Sequence, residues 1–267
     1  MELFDRPGLQ AVTGLSARKT NFLLRLLKAP TLEKTYATLQ NKEGIDMIEE
    51  ALQVFKIELN VDKQKLARVL PTEGAFITVS NHPFGFLDGI VLLLIVGRIR
   101  PGFKVIANFL LSYFAPIRDL FLTVNPFENA GPKGMGGTRK AIQQLSQNQG
   151  LGIFPAGEVS TWYPNQKGIK DREWSMTTMK LIKQANVPVI PIFFAGQNSL
   201  SFHLLGKLHP MLRTLRIPAE FLKKKKKTID IYIGEPILPE QIETMSAAEL
   251  TTWLKNITYD LPNITEQ

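Results

Sequence analysis

Ala75-Phe76-Ile77-Thr78-Val79-Ser80-Asn81-His82-Pro83-Phe84-Gly85-Phe86-Leu87-Asp88 decides the reading of this chain. Residues 75–80 are an apolar run that reads as a buried strand, and Ile90 to Val96 reads as a helix. A His and an Asp therefore share one strand-to-helix turn. An imidazole accepts a proton from a hydroxyl, while a nearby carboxylate holds its tautomer and stabilises the imidazolium that develops. A triad needs a third member, but the chain has no cysteine and no serine in a nucleophile-elbow pattern. The expected nucleophile is the substrate's own hydroxyl. That points to acyl transfer.

Outward from this turn, strands and helices alternate. Strands are expected at 75–80, 103–107, 120–125, 151–154, 189–194 and 228–233, and helices near 89–97, 108–115, 136–148, 175–185 and 247–257. Such alternation favours an α/β layered sheet. Phe154-Pro155-Ala156-Gly157-Glu158-Val159-Ser160 also follows a strand, so it and the His82 turn meet at strand ends, where α/β sites form. In that loop Gly157 permits close backbone approach, and Glu158 offers a carboxylate to an amine or hydroxyl of the acceptor.

Upstream, residues 16–29 carry Phe22, Leu23, Leu26 and Leu27 on one helical face with Arg18, Lys19, Arg25 and Lys28 interspersed, and Pro30 ends the segment. One amphipathic face serves either packing or a membrane interface. Further helices are expected near 31–41 and 44–56. Residues 1–70 are read as a helical accessory layer and 71–267 as the catalytic domain.

The block Asn81–Asp88, the block Phe154–Ser160 and Val187-Pro188-Val189-Ile190-Pro191-Ile192 resemble, in order, three motifs of the lysophospholipid and glycerol-phosphate acyltransferase superfamily. Two departures stand out. Five residues separate His82 from Asp88 where four are usual, and Ala156 holds the customary Glu position with Glu158 after the glycine. Both forms are similar to a bacterial subgroup that carries the hemolysin label and includes lyso-ornithine-lipid O-acyltransferases; there, a second glycine is common where Phe86 stands.

The resemblance implies a layered mixed sheet flanked by helices, with a helical N-terminal portion. It also implies an O-acyltransferase that takes its acyl group from an acyl carrier protein or coenzyme A thioester, with no metal and no bound cofactor. His82 is then the base and Asp88 its orienter, while Asn81, Gly85, Phe154, Pro155, Gly157, Glu158 and Ser160 form the substrate site. Phosphate-using relatives carry a base at the end of their second motif, whereas Leu120 to Pro126 has none. This favours a lyso-aminolipid acceptor of lyso-ornithine or lyso-glycine type over a lysophospholipid, although Lys133 or Arg139 stands close enough to substitute. Gly131 to Gly137 reads either as an anion-binding turn before a helix or as a plain connection.

Composition bounds the partners. With 44% hydrophobic and 21% charged residues the chain can bury a sizeable core. Of the net charge of +8, residues 201–227 supply +7: Lys207, Arg213, Arg216 and Lys223, Lys224, Lys225, Lys226 and Lys227, against Glu220. Such a surface suits anionic lipid headgroups or an acidic acyl carrier protein; the alternative is a solvated loop. No nucleic-acid-reading motif accompanies it. His203 and His209 are read as structural. There is no signal-peptide pattern, and no apolar run reaches the ~20 residues a spanning helix needs. The expectation is a peripheral enzyme at the cytoplasmic face of a membrane. The rival from another class is a membrane-binding protein that retains the scaffold without the chemistry.

Overall fold

The computed structural model describes residues 5–26, 28–39, 42–124, 136–163, 167–208 and 210–265. Its strands are β1 (Glu58–Val61), β2 (Phe76–Ser80), β3 (Lys104–Asn108), β4 (Phe121–Val124), β5 (Gly150–Ile153), β6 (Thr161–Trp162), β7 (Ile169–Lys170), β8 (Val189–Phe194) and β9 (Thr228–Ile233). Seven of them form one sheet in the order β1-β9-β8-β2-β5-β3-β4, while β6 and β7 pair separately as an antiparallel hairpin. Neighbours in the large sheet run parallel except β8 and β9. The carboxyl ends of β8, β2 and β5 therefore lie side by side, and the chain enters β9 at that same end. Loops leaving these ends converge there.

The helices are α1 (Arg6–Thr13), α2 (Ala17–Leu26), α3 (Ala29–Tyr36), α4 (Gly44–Val54), α5 (Lys63–Val69), α6 (Phe86–Gly97), α7 (Gly136–Ser146), α8 (Met176–Ala185), α9 (Leu200–Leu208), α10 (Pro210–Lys223), α11 (Pro239–Ile242) and α12 (Ala247–Thr265). Side chains alternate along β2 and so reach both faces of the sheet. Phe76 joins a cluster with residues of α4, α5, α6 and α10, whereas Ile77 and Val79 join one with α7, α8 and α12. Helix α6 is apolar nearly all round and buried accordingly, from Leu87 through Leu94. The result is a three-layer mixed sheet flanked by helices.

The expected strands from 75 onward form within a residue or two, but several elements differ. The helix expected at 108–115 is two 3-10 segments, Phe109–Tyr113 and Ala115–Leu120. Residues 1–70 contribute β1 to the sheet edge in addition to helices, and Tyr36, Leu39, Met47 and Ile48 share the core cluster of α6. The basic stretch 201–227 is largely helical, in α9 and α10. Lys133, most of the Gly131 to Gly137 stretch, residues 125–126 and His209 lie outside the described residues. Among the described residues no helix is long and apolar enough to cross a membrane.

Candidate active site

Gly85 makes the turn between His82 and Asp88 possible. Its φ of +83° is disfavoured for residues with a Cβ, and a Cβ there would sit 3.0 Å from Val159 Cγ2. The turn curls the backbone around the carboxylate of Asp88, in the first turn of α6. The amides of Phe84 and Gly85 donate to Asp88 Oδ2 at 2.8 and 2.9 Å. His82 Nδ1 lies 3.0 Å from the same oxygen. Nε2 is then the ring nitrogen left for a substrate proton. Asp88 is fully buried. Burial pushes its pKa up, opposed by His82 and by the two amides.

The imidazole is supported from the neighbouring strand. Phe154, just past β5, stacks on it with ring centroids 4.1 Å apart and planes at 28°. The loop from β5 is tied to the turn from β2, since the Ser160 amide donates to the His82 carbonyl at 2.9 Å. Asn81, expected to touch substrate, commits its side-chain amide to β8: it donates to Phe194 O at 2.9 Å and accepts from Phe194 N at 2.8 Å. Pro155 is buried, and its carbonyl accepts from Ser175 N. Gly157 has φ +68° and open space where a Cβ would stand, so this is the exposed bend of the loop. Phe86, in place of the second glycine, packs against Phe114 and Phe221.

Asp171 was not foreseen. Fully buried, it accepts from the His82 amide at 3.2 Å and the Ser160 hydroxyl at 2.5 Å through one oxygen, and from Trp174 Nε1 at 2.9 Å through the other. One carboxylate thus fixes both motif loops, and Ser160 serves as its donor. An asparagine would keep one acceptor oxygen and aim an NH2 group at donors on the other side. Asp171→Asn is expected to lower stability by about 1–3 kcal/mol, the usual cost of a buried donor left unsatisfied. Urea unfolding checks this; an unchanged midpoint would remove the anchoring role.

Glu158 meets cations. Its Oε2 accepts from Arg213 Nη2 at 2.7 Å; its Oε1 accepts from the Tyr163 hydroxyl at 2.8 Å and lies 3.4 Å from Arg172 Nη1. The lysine run divides. Lys223 donates to Ser199 Oγ and to buried Glu220, both at 2.8 Å. Lys224 is half-buried beneath the turn, with its Nζ 4.2 Å from the Phe84 ring centroid and donating to Gln197 O at 2.7 Å; burial lowers its pKa. Lys225, Lys226 and Lys227 are exposed, as are Arg18, Lys19, Arg25, Lys28 and Arg139. His203 has the expected structural setting, with Nδ1 3.3 Å from Thr161 Oγ1 and Nε2 3.2 Å from Asn198 O.

A family model described as acyltransferase matches residues 13–266. The lyso-glycine lipid O-acyltransferase of Bacteroides thetaiotaomicron is 28% identical over 231 residues, covering 83% of this chain and 82% of that protein. The lyso-glycine lipid O-acyltransferase of Phocaeicola vulgatus is 27% identical over 230 residues, covering 83% and 80%. Among solved structures, the 1-acyl-sn-glycerophosphate acyltransferase PlsC of Thermotoga maritima superposes with a TM-score of 0.53 at 19% identity, over 82% of this chain and 77% of that one. That likeness concerns the fold.

Proposed function

The chain belongs to the acyltransferase family, and from that premise we propose that it is an O-acyltransferase that moves a fatty acyl group from an acyl thioester to the hydroxyl of a lyso-aminolipid. The observation that carries this reading is the His82–Asp88 pair, 3.0 Å apart and buried on the Asp88 side at the convergent strand ends. His82 Nε2 takes the proton of the acceptor hydroxyl as its oxygen attacks the thioester carbonyl. Asp88 stabilises the imidazolium. Collapse of the tetrahedral intermediate expels the thiolate, which recovers the proton, leaving an ester and a free thiol. The acceptor class is supported by the names of the two bacterial relatives and by the absence of Lys or Arg from Leu120 to Pro126. The donor is an acyl carrier protein or coenzyme A thioester.

The test is a purified-protein assay with an N-(3-hydroxyacyl)glycine, acyl carrier protein or coenzyme A thioesters, and mass detection of the diacylated product. Acylation of lysophosphatidate with no acylation of any lyso-aminolipid would overturn the acceptor assignment.

A lipid acceptor brings the enzyme to a membrane surface, which we take to be the cytoplasmic face. Supporting this, Phe22 is 71% exposed on α2 beside Arg18, Lys19 and Arg25, and a groove of about 450 Å³ there is lined by Arg6, Arg18, Phe22 and Arg25 among others. Lys225 to Lys227 add exposed charge. Basic residues near an anionic surface contribute about 1 kcal/mol each and are screened within a Debye length. Changing Arg18, Lys19 and Arg25 to Gln is therefore expected to weaken co-sedimentation with anionic liposomes strongly at low salt and modestly at high salt. Binding indifferent to lipid charge and salt would refute the electrostatic contact.

A further inference from the structure

We propose that Arg213 and Arg172, gathered by Glu158 beside the catalytic turn, form the subsite that receives the carboxylate of the acceptor's amino-acid headgroup. The inference rests on the aminolipid reading above and names the residues that select for it. An amino acid acylated on nitrogen keeps a free carboxylate, and one amide unit separates that carboxylate from the chain bearing the 3-hydroxyl. The anion must therefore lie close to the general base.

The geometry places Arg213 there. Arg213 and Ile217 are four residues apart on α10 and so share a face. Ile217 Cγ2 would stand 3.4 Å from a Cβ on Gly85, and Val159, next to Glu158, would stand 3.0 Å from the same point. This face of α10 thus packs on the turn that holds His82 and Asp88. Arg213 is 8% exposed and pairs with Glu158 at 2.7 Å, whereas the Arg172 side chain is 58% exposed. Two guanidiniums against one carboxylate leave a surplus positive charge at a half-exposed site. Planar guanidinium donors match carboxylate geometry. Tyr163, whose pKa burial and Glu158 raise to about 12, remains a neutral donor at neutral pH and helps fix Glu158 in place. Glu158 thereby acts as the positioning residue for the arginines, in place of a direct contact with the hydroxyl.

The experiment compares N-(3-hydroxyacyl)glycine with the neutral N-(3-hydroxyacyl)glycinamide as acceptors. Wild type is expected to prefer the acid by roughly ten- to hundredfold in kcat/KM, the range of a charge-assisted hydrogen bond, with most of the difference in KM. Arg172→Gln and Arg213→Gln are expected to bring the acid-to-amide ratio toward one, and Arg213→Lys to restore part of it. Should Arg213→Gln fail to fold, the exposed Arg172→Gln decides. Equal use of acid and amide by wild type would overturn the inference while leaving the aminolipid reading intact. An equal loss on both acceptors in the Arg variants would also overturn it, assigning these residues to structure alone. Acylation by wild type of lysophosphatidate but of neither glycine acceptor nor the matching N-(3-hydroxyacyl)ornithine would overturn the aminolipid reading itself.

Discussion

His82→Ala is expected to lower kcat for acyl transfer by about 10²–10⁴-fold, the contribution typical of a positioned general base. KM for the acceptor should change little, because the imidazole acts on a proton in the transition state. The fold should survive. The backbone contacts of residue 82, its amide to Asp171 and its carbonyl from Ser160, do not depend on the side chain. What is lost is the ring stacked on Phe154 and the partner of Asp88. Single-turnover assays on the true acceptor, with circular dichroism as the folding control, make the measurement. Turnover equal to wild type would sink the base assignment and require another group to take the hydroxyl proton.

The pairing of His82 with Asp88 was legible because it is local: the two sit on one turn, and the strand before and helix after it are apolar enough to read without a partner. The sheet was legible for the same reason, since β2, β5, β8 and β9 are short runs bounded by clear breaks. Strand β1 was not. Glu58-Leu59-Asn60-Val61 is four residues long and half polar, as an edge strand permits, and only its pairing with β9 makes it a strand. Helices α9 and α10 were hidden by Pro210, Pro218 and the lysines that follow, which drew attention to charge in place of periodicity.

The supporting residues failed to show for a different reason. Asp171 lies between Lys170 and Arg172, a spelling that suggests a solvated loop, yet it is fully buried against donors at positions 82, 160 and 174. Arg213 reads as one more base in a basic stretch until the fold sets it on Glu158, 55 residues earlier. Conversely Asn81, legible as part of a motif, has both ends of its amide engaged by β8. Sequence spacing singled out the proposed reacting groups; the groups that hold them still come from distant parts of the chain.

Asp88→Asn separates charge from shape and is expected to cut kcat by about 10²-fold or more while leaving stability at neutral pH equal or higher. The oxygen that matters is Oδ2, which takes both backbone amides and faces His82 Nδ1; Oδ1 has no hydrogen-bond partner among the described residues. An asparagine can put its oxygen in the Oδ2 place and its NH2 in the Oδ1 place, so the turn and the ring tautomer persist. The negative charge that stabilises the imidazolium is gone, and the barrier rises. Stability should move the other way. Because burial raises the folded-state pKa of Asp88, the folded chain holds this proton over a pH range in which the unfolded chain has lost it. Wild-type stability contributed by this group therefore falls as pH rises from about 3.9, the ordinary aspartate value, to its raised folded-state pKa. The variant has no such slope. Thermal unfolding of both proteins from mildly acidic to neutral pH should show the difference in Tm shifting toward the variant as pH rises. A variant that keeps full activity, or one whose stability drops relative to wild type with rising pH, would remove Asp88 as a buried anionic partner of His82.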